Sequence, residues 1–178
     1  MKERHAVRCF LIENGSVVVT RYNKENPKAG YYEIPGGKIE EKEYPRDTAI
    51  REFKEETGMD IKNLTYKGKM ALEYPDRKFY FDLFRTNTYE GVPQDFRENT
   101  SQWIEISKLL GKEKRLAIIL ILEKPYISYL LDDKNKINMY VKVDETENIL
   151  DINFETIDDE IKPELQNYIE TEIFPLYT

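Results

Sequence analysis

The strongest constraint on the fold is a helix that the sequence predicts between Pro45 and Gly58. Proline suits the first turn of a helix because it has no N–H to satisfy, and glycine suits the residue that follows a helix end. At about 100° per residue, the less polar side chains of this helix form a single stripe. That stripe consists of Ala49, Ile50, Phe53 and Thr57. We therefore expect the helix to bury this side against a sheet.

A second edge of the same helix is acidic. Glu52, Glu55 and Glu56 follow i, i+3, i+4 spacing and fall within about 100° of one another. Like charges at this spacing destabilise a helix by a few tenths of a kcal/mol per pair, which a bound divalent cation would offset. Carboxylate oxygens suit Mg²⁺ or Mn²⁺, and a glycine turn at Gly36-Gly37 lets a main-chain carbonyl approach the ion. The pattern favours metal-assisted attack of water on a phosphate chain, with a solvated acidic face as the alternative.

Composition restricts the function classes. The chain has 178 residues, 40% hydrophobic, and a net charge of −7, which favours a packed core and disfavours binding to a long nucleic acid. A single cysteine, Cys9, and a single histidine, His5, leave too few ligands for a His/Cys zinc site. The longest apolar run, residues 116–122, is far shorter than the roughly 20 residues of a membrane span. No signal peptide is recognisable, so we expect a cytoplasmic protein.

The order of predicted elements indicates a mixed α/β domain over residues 1–131 and an extension over 132–178, packed on the same domain. Asn14-Gly15 predicts a hairpin turn between two β-prone runs. Further strands are predicted at 31–34, 63–73, 78–89 and 103–106, and a helix bent or broken at Pro125 at 114–131. The extension is predicted to hold a hairpin, 137–143 with 149–154, and a helix from Asp158 to Phe174.

The segment from Gly37 to Met59 resembles the Nudix box at every fixed position. The matching residues are Gly37, Glu43, Arg51, Glu52, Phe53, Glu55, Glu56, Gly58 and Met59. The neighbouring residues 34–40, Ile-Pro-Gly-Gly-Lys-Ile-Glu, resemble most the MutT-type branch of the Nudix hydrolases. The resemblance implies an α/β/α sandwich around a mixed β-sheet, and hydrolysis of a nucleoside diphosphate linked to another group.

The resemblance also implies roles for single residues. Glu52, Glu55 and Glu56 would bind Mg²⁺, and the Gly37 carbonyl would be a further ligand. Arg51 would orient the glutamates, and within the motif Glu43 and Gly58 would be structural. Two residues are candidates for the general base, Glu52 in the box and Glu98 in the polar loop before Trp103.

Substrate choice rests on weaker features. Tyr31 or Tyr32 could stack on a base, and Lys38 and Arg21 could reach phosphate oxygens. We expect a small nucleotide as partner, first of all an oxidised nucleoside triphosphate such as 8-oxo-dGTP. ADP-ribose or a nucleotide sugar is an alternative, to which the position of Pro75 points weakly, and a non-catalytic nucleotide sensor is another. Three roles stay open for the extension: it could cover the pocket, mediate the formation of a homodimer or complete the core.

Overall fold

The computed structural model describes residues 1–158, and residues 159–178, on which the predicted last helix falls, lie outside that range. Eleven strands are present in the described range. They are β1 (Lys2–Glu13), β2 (Ser16–Tyr22), β3 (Tyr32–Glu33), β4 (Gly36–Lys38), β5 (Asp60–Lys62), β6 (Thr65–Glu73), β7 (Arg77–Thr86), β8 (Thr88–Glu90), β9 (Asn99–Glu105), β10 (Asn135–Val143) and β11 (Ile149–Asp158). The α-helices are α1 (Pro45–Thr57), α2 (Ile106–Leu110) and α3 (Tyr126–Leu131), and Ala117–Leu122 forms a 3₁₀ helix.

Nine strands form one mixed sheet. Its order is β11-β10-β6-β7-β1-β2-β3, with β4 added on β1 and β9 on β2. The pairs β1–β7 and β6–β10 are parallel, and the other pairs are antiparallel. Strands β5 and β8 form a separate two-stranded sheet. The glycine turn of the box therefore enters the central sheet, because β4 contains Gly36 and Gly37 and pairs with β1.

Helix α1 covers one face of the sheet, and the remaining helices cover the other. Val7, Cys9 and Leu11 of β1 pack with Ala49 and Phe53 of α1 in one buried cluster. The opposite face packs against the 3₁₀ helix in a second cluster. The α/β/α sandwich around a mixed sheet is thus confirmed, and Cys9 is a core residue.

The predicted first hairpin is present. Asn14 and Gly15 both have positive φ, 51° and 77°, and the register pairs Ile12 with Val17 and Glu13 with Ser16. Positive φ at both central residues is the geometry that matches the right-handed twist of the flanking strands. The Asn-Gly pair adopts it at little steric cost.

The helix predicted over residues 114–131 is broken at Pro125, as one of the two predicted alternatives had it, but its first part is a 3₁₀ helix and not an α-helix. The chain forms the 3₁₀ helix up to Leu122 and then α3 from Tyr126, with Pro125 between them. Proline lacks the N–H that a continuous helix needs, and the β-branched Ile118, Ile119 and Ile121 disfavour an α-helix. All six side chains of the 3₁₀ helix are buried, so the apolar run is a core element. Within residues 1–158 no helix is both long and apolar enough to cross a membrane.

Other differences concern strand boundaries. The predicted strand 78–89 is divided into β7 and β8, and β9 begins at Asn99, inside the predicted loop. The short strands β4 and β5 were not predicted, because two- or three-residue segments have too little periodicity to be recognised.

The predicted hairpin of the extension is present as β10 and β11. Strand β10 runs parallel to β6 and continues the central sheet. Its alternate side chains, Ile137, Met139, Val141 and Val143, are buried in the cluster on the face opposite α1. The hairpin therefore shares a hydrophobic core with the rest of the fold.

Candidate active site

Helix α1 presents the acidic edge because its two ends and its buried side are fixed. Pro45 begins the helix, and Gly58, with φ 77°, ends it in the left-handed conformation and donates its N–H to the carbonyl of Lys54. Ala49, Phe53 and Thr57 are buried as predicted, and Ile50 is partly buried. This leaves Glu52 and Glu56 partly buried and Glu55 exposed along the neighbouring edge.

Arg51 holds three of the box glutamates. Its Nε and one terminal nitrogen donate to the two carboxylate oxygens of Glu43, at 2.7 and 2.9 Å. Its other terminal nitrogen donates to Glu52 at 2.9 Å and to Glu55 at 3.3 Å. The hydrogen bonds from Arg51 lower the pKa of Glu43 to about 2. Arg51 thus ties the loop before the helix to the acidic edge through a bidentate, charge-assisted pair.

Gly37, in strand β4, lies directly against Glu52. A Cβ atom at Gly37 would be 2.3 Å from the carboxyl carbon of Glu52 and 2.6 Å from both of its oxygens. These distances are far below van der Waals contact, so only glycine leaves room for this carboxylate. The contact brings the Gly37 main chain and Glu52 together, as the predicted ligand set requires.

Glu56 lies at the inner end of the acidic edge. The pKa of Glu56 is raised to about 8, mainly by burial and to a smaller extent by the charges of Glu52 and Glu33, against the opposing charge of Arg8. Burial likewise raises the pKa of Glu52, against the hydrogen bond from Arg51. Carboxylates that are desolvated beside each other are stabilised by a nearby cation.

The donor set fits a hard divalent cation. The neighbouring carboxylates of Glu52 and Glu56, both with raised pKa values, offer oxygen ligands only, which Mg²⁺ and Mn²⁺ prefer. Within residues 1–158 no three acidic, histidine or cysteine side chains already converge as a closed ligand set. Arg51 instead engages Glu52 and Glu55, so a cation would compete with it for these oxygens.

A cavity of about 230 Å³ opens on the sheet face opposite α1. Its walls combine aromatic and aliphatic side chains with a few charged ones. The residues lining it are Arg8, Tyr22, Lys28, Glu33, Leu72, Tyr74, Arg77, Phe79, Phe81, Leu116 and Ile118. An apolar cavity with few, fixed polar groups is typical of a small-molecule site.

Arg8 connects this cavity to the acidic edge. Its guanidinium lies 4.7 Å from the ring centroid of Phe81, and its Nε is 3.4 Å from a carboxylate oxygen of Glu33. Burial lowers the pKa of Arg8, but the charges of Glu33 and Glu56 raise it more. Burial also raises the pKa of Glu33, which Arg8 opposes. Arg8 thus pairs with Glu33 in the cavity, and its guanidinium lies beside Gly36, the residue before Gly37 at the acidic edge.

The predicted substrate residues lie elsewhere. Tyr32 is buried in the core, and its ring packs under Arg21, whose guanidinium is 5.2 Å from the ring centroid. Lys38 is exposed. Glu98, the second base candidate, is also exposed and lines a separate, wider hollow of about 740 Å³. The structure therefore brings together Gly37, Glu43 and the box residues of α1. Lys38 touches this cluster through its main-chain carbonyl, which accepts a hydrogen bond from Arg51 at 3.5 Å, whereas Tyr32, Arg21 and Glu98 lie outside it.

Sequence reasoning missed Arg8 and Glu33. The available signal was a charge inside an apolar strand, since Arg8 interrupts the buried run of β1 and Glu33 stands between Tyr32 and Ile34. A charge in such a position is expensive to bury and therefore often marks a functional site. The contact between Arg8 and Glu33 could not be predicted from the sequence, because it depends on the strand order of the sheet, in which β2 lies between β1 and β3.

The comparisons with known proteins identify the family. A family model of the NUDIX domain matches residues 2–120. The chain belongs to the Nudix family. The matched range contains the acidic edge, Gly36 and Gly37, and all the residues that line the cavity. Members of the Nudix family generally use divalent cations, which agrees with the oxygen donors of this site.

Relatives place this Nudix protein in the MutT-like branch. The 8-oxo-dGTP diphosphatase of Escherichia coli is 30% identical over 101 residues, 57% of this chain and 78% of that protein. YtkD of Bacillus subtilis is 53% identical over 92 residues, 50% of this chain and 58% of that protein. The crystal structure of a MutT protein from Bacillus halodurans has a TM-score of 0.71 at 21% identity, covering 85% of this chain and 97% of that one, which shows the shared fold. The chain is thus a MutT-like Nudix pyrophosphohydrolase.

Proposed function

We propose that this Nudix hydrolase cleaves a nucleoside triphosphate, with 8-oxo-dGTP or a similar oxidised purine nucleotide as the favoured substrate. Water would release the nucleoside monophosphate and pyrophosphate. The observation that carries the proposal is Arg8, which lines an aromatic cavity and whose guanidinium lies beside Gly36, next to the contact between Gly37 and Glu52 at the acidic edge. A nucleotide with its base in this cavity would extend its phosphates towards the acidic edge. The E. coli relative named for 8-oxo-dGTP supports the choice of substrate.

The cavity offers complementary groups for a purine. Phe79 and Phe81 provide flat apolar surfaces on which a base can stack. The Glu33 carboxylate accepts hydrogen bonds and the Arg8 guanidinium donates them, so together they can pair with both donors and acceptors on a base edge. These two residues replace Tyr32 as our proposed base-binding residues.

The acidic edge would hold the metal ion. We propose that Glu52, Glu55, Glu56 and the Gly37 carbonyl bind Mg²⁺, with Mn²⁺ as a substitute. When bound, the ion neutralises the phosphates and activates water. Arg51 would orient Glu52 and Glu55 through the hydrogen bonds described above. Of the two base candidates, Glu52 is favoured over Glu98, because Glu52 lies against Gly37 and Glu98 lies outside the cluster.

Product analysis with Mg²⁺ tests this function. The panel would hold the four dNTPs, 8-oxo-dGTP, ADP-ribose and a dinucleoside polyphosphate. We expect equal amounts of monophosphate and pyrophosphate, with the highest kcat/KM for 8-oxo-dGTP, and no turnover after removal of divalent ions with EDTA. Preferential cleavage of ADP-ribose, or activity that persists in EDTA, would contradict the proposal.

A further inference from the structure

The turn between β10 and β11 holds one of its two glutamates, Glu147, in a fixed position beyond the range of the family match. The Asp144 carboxylate accepts hydrogen bonds from the main-chain N–H groups of Thr146, at 2.8 Å, and Asn148, at 2.9 Å. Glu147 itself has φ 70°, a left-handed conformation that is unfavourable for a glutamate. The turn is therefore built to hold Glu147 in a conformation that it would not adopt alone.

The Glu147 side chain is almost fully buried, with 7% of it exposed. Its carboxylate accepts hydrogen bonds from the Lys28 ammonium, from the Tyr74 hydroxyl at 2.5 Å and from the main-chain N–H of Ala117 at 3.3 Å. These three donors come from the β2–β3 loop, the β6–β7 turn and the start of the 3₁₀ helix. One carboxylate thus joins the C-terminal hairpin to three separate segments of the fold.

The partners of Glu147 form part of the cavity wall. Lys28 and Tyr74 line the cavity, as do Leu116 and Ile118 on either side of Ala117. The Lys28 ammonium also donates to the Tyr74 hydroxyl at 3.2 Å and lies 5.0 Å from the centroid of its ring. The position of this wall therefore depends on a residue of the hairpin that is itself not among the lining residues.

Charge gives this contact a second effect. The cavity contains three cationic side chains, Arg8, Lys28 and Arg77, and one carboxylate, Glu33. Glu147 compensates the charge of Lys28 and accepts a hydrogen bond from its ammonium, which holds this cation in the wall of the cavity. Without Glu147 the ammonium would be unpaired and the excess of positive charge uncompensated.

We propose that Glu147 is a positioning residue that fixes Lys28 and Tyr74 in the wall of the cavity and thereby determines which nucleotide base the cavity accepts. The inference rests on the proposed function, because that function assigns the base to this cavity. If Glu147 served only to attach the hairpin to the domain, its loss would lower stability and leave the preference among bases intact.

The test uses Glu147→Gln, Lys28→Met, the double variant, and Glu145→Gln as the matched control from an exposed position in the same turn. Calorimetric titration of the full chain with 8-oxo-dGMP, dGMP, dAMP and dCMP, without metal, measures base preference independently of turnover. Kinetics with the corresponding triphosphates and Mg²⁺ give KM and kcat separately. Thermal unfolding of each variant measures stability.

We expect Glu147→Gln to weaken binding of the preferred nucleotide and raise its KM roughly tenfold or more, with a smaller effect on the other bases and on kcat. The double variant should bind better than Glu147→Gln alone, because the unpaired ammonium is removed, and Glu145→Gln should match the wild type. Unchanged base preference in Glu147→Gln, with or without a loss of stability, would overturn the proposal. So would a wild-type protein that binds the four monophosphates equally.

The two proposals fail differently. A wild type that binds nucleotides with a base preference sensitive to Glu147, yet hydrolyses none of the triphosphates, would contradict the proposed function and support the role of Glu147. If the wild type releases pyrophosphate from 8-oxo-dGTP and Glu147→Gln shows the same base preference, the proposed function is supported and the role of Glu147 is contradicted.

Discussion

Single side chains set the geometry of the acidic edge. Arg51 donates to Glu43, Glu52 and Glu55, and Gly37 leaves the space that the Glu52 carboxylate needs. Both contacts connect the loop before α1 with the helix itself. We therefore expect a substitution at Arg51 or Gly37 to displace a proposed metal ligand.

Gly37→Ala tests this dependence. The added methyl carbon would lie 2.3 Å from the Glu52 carboxyl carbon, so Glu52 must move. Since a displacement of about 1 Å in a positioned group can reduce a rate roughly 100-fold, we expect kcat for 8-oxo-dGTP to fall by about that factor. Circular dichroism should show an intact fold.

The matched control is Gly111→Ala, where the nearest atoms to the added carbon are 3.5 Å away and φ is negative. We expect it to keep wild-type kcat. A Gly37→Ala variant as active as Gly111→Ala would show that the contact with Glu52 has no functional role.

At the scale of elements, α1 was predictable and its surroundings were not. Pro45 and Gly58 are local signals, and both mark the observed helix ends. The glutamate edge followed from helical geometry alone. The first part of the helix predicted at 114–131 is a 3₁₀ helix and not an α-helix. Burial of an apolar run is compatible with several backbone conformations, and here the isoleucines and Pro125 favour the 3₁₀ helix.

Glu43 connects the loop before α1 to the helix through its hydrogen bonds with Arg51. Because this contact depends on the charge of Glu43, we expect the free energy of unfolding to depend on pH. Hydrogen bonds from Arg51 lower the pKa of Glu43 in the folded state to about 2, below its ordinary value of 4.5. Such a group stabilises the fold above about pH 4.5, and the contribution is lost as the pH falls towards 2. Solvent screens the partly exposed Arg51, so we expect Glu43→Gln to reduce the free energy of unfolding by roughly 1–2 kcal/mol at pH 7.

Urea unfolding of wild type and Glu43→Gln at pH 7, 4 and 3 measures this difference. It should be largest at pH 7 and shrink at the lower values. Glu41→Gln, an exposed neighbour, serves as the control and should show no difference from wild type. A difference that stays constant with pH would mean that Glu43 acts without its charge.

At the scale of the whole molecule, the hairpin of β10 and β11 extends the sheet and carries Glu147 to the cavity. The hairpin itself was predicted from the two runs 137–143 and 149–154. Its parallel pairing with β6, and the contacts among Glu147, Lys28 and Tyr74, depend on residues 46 to 119 positions apart. Such contacts have no local signal, which is why sequence reasoning found the acidic edge but not Arg8, Glu33 or Glu147.

We propose that residues 132–158 belong to the same folding unit as the preceding domain, and Met139→Ala tests this. Met139 is 1% exposed and packs in the cluster on the face opposite α1. Removing its side chain should lower the free energy of unfolding by about 2–4 kcal/mol, in one cooperative transition measured by urea. Asn138→Ala, at the exposed neighbouring position, should be close to wild type. An unchanged main transition for Met139→Ala would show that the hairpin unfolds independently.

The central claim is that the acidic edge of α1 holds the divalent cation for pyrophosphate release. Its most direct test is the rate of pyrophosphate release from 8-oxo-dGTP by Glu56→Gln, which keeps the size of the side chain and removes its charge. With Mg²⁺ present, we predict a fall in kcat of at least roughly 100-fold, an unchanged fold, and wild-type kcat for Glu41→Gln. Wild-type pyrophosphate release by Glu56→Gln would contradict the account.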